Sequence, residues 1–164
     1  MEENYTKEEA LQMESQVLSL LNFELTAPTP RCFLSGLVDV ARGPPQLEFL
    51  ADFIAELSLL EYHMLQYPPS MIAASSLFLA RFVLRPKEHP WTRRLADHSF
   101  YQPCELSECV KDLFWAFVFS SGSRLTAIRD KYSKPERMFV AAKYFCSAPA
   151  IPERYFSRHP LPLR

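Results

Sequence analysis

Apolar residues recur along this chain at helical spacing, and no stretch alternates apolar and polar positions convincingly enough to suggest a strand. In residues 7–21, Ala10, Met13, Val17, Leu18, Leu20 and Leu21 fill an arc of about 180° when each residue turns by about 100°. Thr6, with Glu9 one turn on, is a capping-box pattern that opens this helix. Thr29 and Pro30 place a cap and a first-turn proline before a helix running to about residue 41, stopped by Gly43, Pro44 and Pro45. Residues 46–62 carry Leu47, Phe49, Leu50, Phe53, Ile54, Leu57, Leu59 and Leu60 over most of the circumference, which predicts a mostly buried helix. Residues 70–84 are apolar nearly all round, and Ala73, Ala74, Ser75 and Ser76 are small enough to let neighbouring backbones approach closely. This is the expected central helix. A short helix is expected near Trp91. Another is expected over 105–119, where Leu106, Cys109, Val110, Leu113, Phe114 and Phe117 share one face.

These patterns predict an all-α architecture in which wholly apolar helices are surrounded by amphipathic ones, with no solenoid-type repeat. The fourteen prolines cluster at the helix boundaries. With 164 residues the chain can bury a real core, and 48% hydrophobic against 23% charged residues is the balance of a folded domain. A formal charge of −1 with scattered Lys and Arg lacks the footprint of a nucleic-acid binder. The most apolar run, 71–84, is shorter than the ~20 residues a bilayer requires and contains Arg81, so no membrane association is expected. No signal peptide is legible over residues 1–7, and an intracellular protein is expected.

Candidate chemistry narrows the picture mainly by exclusion. Gly36, Gly43 and Gly122 are the only glycines, and their separations make neither a GxGxxG turn nor a P-loop. Cys32, Cys104, Cys109 and Cys146 form no CxxC pair, and His63, His89, His98 and His159 form no HExxH. No metal, cofactor or small-molecule substrate is expected, and the cysteines read as structural residues of a reducing compartment. No activated nucleophile pattern appears, which argues against an enzyme.

One position disturbs the first helix. Glu14 falls inside the apolar arc, between the directions of Leu21 and Leu18. A carboxylate there either lies at the stripe's edge in solvent, pairs with Lys7 or Arg31 within the chain, or meets a cation of a partner protein. The residues alone leave these open.

Several motifs in order resemble a known family. Tyr5-Thr6-Lys7, Met13-Glu14, Val17-Leu18 and Phe23-Glu24-Leu25-Thr26-Ala27-Pro28-Thr29-Pro30 are similar to the last helix of the first cyclin box and the linker into the second. Ala55-Glu56-Leu57-Ser58-Leu59-Leu60-Glu61-Tyr62 and Pro69-Ser70-Met71-Ile72-Ala73-Ala74-Ser75 look like the second and third helices of that second box. Ile128-Arg129-Asp130-Lys131-Tyr132 is similar to the segment after it. Ala27-Pro28-Thr29 tilts the likeness toward A-type cyclins, and residues 86–91 tilt it toward plant members.

The resemblance implies a five-helix cyclin box at 28–121, preceded at 1–27 by a remnant of a first box and followed by a C-terminal segment at 122–164. It implies a cyclin-dependent serine/threonine kinase as partner in cell-cycle control, and a location in nucleus and cytoplasm. The helix over 6–21 then corresponds to the surface that meets the kinase's regulatory helix. Lys7, Glu14, Leu18, Phe23 and Leu25 fall at kinase-contact positions, Lys7 as a peripheral charge. The second box mainly supports the first, so its apolar helices are core, and Trp91 is packing. The chain starts just ahead of the fifth helix of the first box, which reads as an N-terminal truncation. Loss of the four preceding helices removes the family's lysine contact and substrate-recruiting patch and predicts impaired activation. The alternative is a non-activating interaction module, or a competitor for the kinase.

Overall fold

Helices are the regular structure in residues 5–119, 125–144 and 149–157, the residues that the computed structural model describes. In chain order they are α1 (Lys7–Leu20), α2 (Pro30–Ala41), α3 (Pro45–Leu57), α4 (Pro69–Leu84), α5 (Arg93–Ser99), α6 (Pro103–Phe119), α7 (Ala127–Tyr132) and α8 (Val140–Tyr144). No strand occurs among the described residues. The five helices α2 to α6 form the box anticipated from the sequence. Gly122, Cys146 and His159 lie outside the described residues.

Helix α4 is the axis of the box. Ten of its sixteen residues are buried, including Leu77 and Phe78, and it packs against α2, α3 and α6. Its small residues let these neighbours close in. Ser76 Oγ satisfies itself by donating to the Ile72 carbonyl at 2.7 Å. Ser75 Oγ is also buried but makes no well-formed hydrogen bond among the described residues, its polar neighbour being the Cys109 thiol, a weak hydrogen-bonding group. A buried hydroxyl in that state is a local cost.

Helix α2 ends on Arg42 in the left-handed region (φ 47°), whose N–H donates to the Val38 carbonyl at 3.1 Å. The left-handed cap is therefore an arginine and not the adjacent glycine. Gly43 serves close packing instead: a Cβ there would stand 2.2 Å from Leu47 Cδ2 and 3.0 Å from Leu47 Cβ. At the entry to α3, Arg31 pairs with Glu48 at 3.0 Å and with the buried Asp52, linking α2 to α3.

Helix α3 is shorter than the apolar pattern predicts. It stops at Leu57, and 3-10 turns at Ser58–Leu60 and Tyr62–Gln66 replace its expected last turns. Ser58 Oγ donates to the Ala55 carbonyl at 2.6 Å, a local bond that competes with helix continuation. As a result Leu59, read as core, is 76% exposed. The expected helix near Trp91 begins at Arg93, capped by Thr92. Trp91 itself is fully buried and donates from Nε1 to the Tyr101 carbonyl at 3.0 Å.

Segments beyond α6 complete the core. Tyr132 of α7 is buried with its ring 5.4 Å from that of Phe53, which also meets Phe117 at 6.0 Å. A 3-10 turn at Glu153–Phe156 stacks Phe156 on Phe78 at 5.3 Å and sets Tyr155 against Phe82. Tyr155 Oη donates to the Pro86 carbonyl at 3.0 Å.

Candidate protein-interaction site

Helix α1 forms because its first turn closes on itself. Glu9 N–H donates to Thr6 Oγ1 at 3.2 Å, and Thr6 N–H donates to Glu9 Oε2 at 2.7 Å. The Thr6 N–H, and then the Thr6 hydroxyl, which donates to the same Glu9 Oε2 at 3.0 Å, hold the Glu9 carboxyl below its ordinary range. No residue of α1 is buried. The apolar arc read from the sequence is therefore present but uncovered by the described residues, with Leu11, Met13, Val17, Leu20 and Leu21 exposed and Leu18 half-buried.

Within that arc Lys7, Glu14 and Leu18 lie along one line of the helix, within about 40° of one another at ~100° per residue. Glu14 is exposed and forms no ion pair among the described residues. The internal pairings left open by sequence are not made: Lys7 is also exposed and unpaired among the described residues, and Arg31 is engaged by Glu48 and Asp52.

The backbone then reverses. Leu21 N–H donates to the Val17 carbonyl at 3.0 Å and Phe23 N–H to the Leu18 carbonyl at 2.9 Å, while Asn22 and Phe23 both occupy the left-handed region (φ 50° and 56°). That region is uncommon for an aromatic residue and costs on the order of 1 kcal/mol. Two tight turns follow, closed by Leu25 N–H to the Phe23 carbonyl and Ala27 N–H to the Leu25 carbonyl, each at 3.0 Å. Phe23, 69% exposed, and Leu25 are thus held outward immediately after the helix. All five sequence-nominated residues sit on one accessible helix-and-turn unit.

A second apolar surface escaped sequence reasoning. Trp115 and Phe119 stack at 5.0 Å with planes 5° apart, and they are 58% and 60% exposed. Leu57, Leu60 and Ala116 line the cleft beside them, with Glu61, His63 and Asp112 at its rim. Its signal was available: Trp115 and Phe119 are one turn apart on the side of α6 opposite Leu106, Leu113 and Phe117. The cysteines also divide. Cys109 is buried, and burial pushes its thiol up to about 11. Cys32, expected to be structural, is exposed in the first turn of α2, where hydrogen bonding from Thr29 lowers its pKa. Among the described residues no group of His, Cys, Asp and Glu is arranged to hold a metal, and no helix is long and apolar enough to cross a membrane.

Residues 28–144 match the family described as cyclin, C-terminal domain. The chain is similar to Cyclin-A1-3 of Oryza sativa subsp. japonica, with 49% identity over 157 residues, covering 93% of this chain and 32% of that protein. It is likewise similar to Cyclin-A1-1 of Arabidopsis thaliana, 48% identical over 158 residues, covering 93% of this chain and 34% of that protein. Against the G2/mitotic-specific cyclin C13-1 of Daucus carota the identity is 42%, covering 93% of this chain and 46% of that protein. The chain thus spans about a third of the length of the first of these relatives.

Proposed function

We propose, from the premise that this chain belongs to the cyclin family, that α1 and the turn after it bind a cyclin-dependent serine/threonine kinase. The chain acts as a regulator in cell-cycle control and not as a catalyst, in nucleus and cytoplasm. The division into a first-box remnant at 1–27, a second box at 28–121 and a C-terminal segment at 122–164 belongs to the same proposal.

The observation that carries the reading is a capped helix none of whose residues is buried. Exposing an apolar face of that size is unfavourable in water, so it calls for a cover. Glu14 gives the face a charge to match, while Leu18, Phe23 and Leu25 supply apolar contacts around it. A cyclin acts by biasing the kinase's regulatory helix toward its active position, so its effect is a population shift in another protein. Residues 1–164 alone offer one helix and a short turn to that partner, less than the ~800 Å² per side of a standard interface. Weak binding and poor activation follow.

The same arithmetic favours a second reading, a non-activating interaction module or competitor. Titrating a cyclin-dependent kinase with this chain, read by both binding and histone phosphorylation, separates the two. Binding with activation supports the regulator, and binding without activation supports the competitor. Absence of binding at any accessible concentration refutes both.

A further inference from the structure

Away from α1, the C-terminal ends of α2 and α4 and the start of α5 meet at a cleft lined by Val40, Ala41, Arg42, Arg81, Thr92 and Arg94. Three arginines line it, and no carboxylate is among the lining residues. None of the three arginine side chains forms an ion pair or hydrogen bond with a described residue. Arg81 is the unusual member. It is half-buried in the last turn of the central helix, where burial penalises its charge and the nearby Glu88 offsets only part of that cost. Burial, and then the nearby Arg85, pull its pKa below the ordinary value. The neighbouring charges are largely spent on one another: Glu88 pairs with Arg85 at 3.2 Å and Asp97 with Arg93 at 3.9 Å. Asp39 and Asp97 stand on the flank, beside Arg42 and Arg94.

We propose that this cleft binds the phosphate of a phosphorylated serine or threonine in a partner protein. A guanidinium presents a planar fork of donors that matches phosphate oxygens bidentately, and clusters of such forks are the usual means of reading phosphorylated segments. A phosphomonoester carries nearly two charges at neutral pH, enough to neutralise a pocket built around three cations. The surroundings choose a phosphopeptide over a polyanion. Asp39, Asp97 and Glu88 flank the cleft and would repel the next phosphates of a nucleic-acid strand. The half-buried Leu84 continues it as an apolar edge that a peptide side chain can meet. The site is separate from α1, so it stands whether or not the kinase reading holds.

The test uses the 164-residue chain and a short fluorescein-labelled peptide, neutral except for a central phosphothreonine. Its unphosphorylated twin, inorganic phosphate and a single-stranded oligonucleotide are the comparison ligands. By anisotropy, the phosphopeptide binds about tenfold or more tightly than its twin and more tightly than inorganic phosphate. Arg42→Gln, Arg94→Gln and Arg81→Gln each weaken that binding about tenfold, whereas Lys134→Gln, which removes an exposed cation away from the cleft, leaves it unchanged. Arg42 and Arg94 are exposed, so those variants report on the site even if the Arg81 variant loses its circular-dichroism signal. Equal affinity for the twin, indifference to the Arg42 and Arg94 substitutions, equal affinity for inorganic phosphate, or tighter binding of the oligonucleotide each overturns the proposal.

Discussion

The Tyr132 hydroxyl donates to Glu56 Oε1 at 2.7 Å, joining α7, which lies beyond the five-helix box, to the second helix of that box. Lys131 bonds the same carboxylate oxygen, and Tyr132 lays its ring against Phe53. Tyr132→Phe removes only the hydrogen bond and should cost about 1 kcal/mol, since Glu56 keeps Lys131. Tyr132→Ala also opens a cavity beside Phe53 and should cost about 3–5 kcal/mol. Urea denaturation of both variants measures the pair. Equal losses for the two would show that the ring contributes nothing beyond its hydroxyl.

Alkaline pH should unfold the chain cooperatively with tyrosine ionisation. Burial, and then hydrogen bonding to a carboxylate, raises the pKa of Tyr67, which donates to Asp112 at 2.7 Å, and of Tyr132. Burial pushes the Cys109 thiol up to about 11. Each folded-state pKa lies above its unfolded value, so the neutral form is the one the fold favours. Their stabilising contribution is complete below the unfolded values, roughly 8.5 for Cys and 10 for Tyr, and is lost as pH rises through the folded ones. Stability measured from pH 8 upward should therefore fall. Tyr67→Phe should flatten part of that fall.

Ser75→Ala should stabilise the box. The substitution deletes a buried hydroxyl with no well-formed hydrogen bond among the described residues and keeps a small side chain where α4 meets its neighbours. The gain should be about 1 kcal/mol in the midpoint of chemical unfolding. A loss of that size would mean that the hydroxyl is satisfied in solution.

Gly43→Ala should destabilise, by about 1–3 kcal/mol, although the glycine is exposed and its backbone conformation is open to any residue. The added Cβ meets the buried Leu47 from its Cβ outward, so more than the flexible tip of that side chain must shift. Leu47→Ala in the same background should make the Gly43 substitution nearly neutral. That double-mutant comparison isolates the contact.

On the proposed kinase surface, Glu14→Lys should leave the thermal midpoint almost unchanged, because Glu14 is exposed and pairs with nothing among the described residues. Its effect should appear only on binding, as a loss of about 2–5 kcal/mol where the carboxylate meets a desolvated cation. Leu18→Ala should weaken the same complex through lost apolar contact. Calorimetric titration of kinase with both variants checks this, and unchanged affinity for Glu14→Lys removes that residue from the interface.

Much of this fold was legible because its signals are local. The Thr6–Glu9 capping box, the prolines that open α2, α3 and α4, and the apolar circumference of α4 each act within a few residues of themselves. The arc around Glu14 was legible for the same reason, since a regular helix alone decides which side chains share a face. What lay beyond the sequence depends on residues far apart in it. The early end of α3 follows from a competing Ser58 bond that leaves Leu59 in solvent, and apolar periodicity cannot register such a bond. Phe78 finds Phe156, and Phe53 finds Tyr132, only because later segments fold back onto the box. Arg42, Arg81 and Arg94 read singly as scattered charges. They become one cleft when packing of α2 against both α4 and α5 brings distant cations together with no carboxylate among the lining residues, a placement set by helix packing and not by the spacing of the residues.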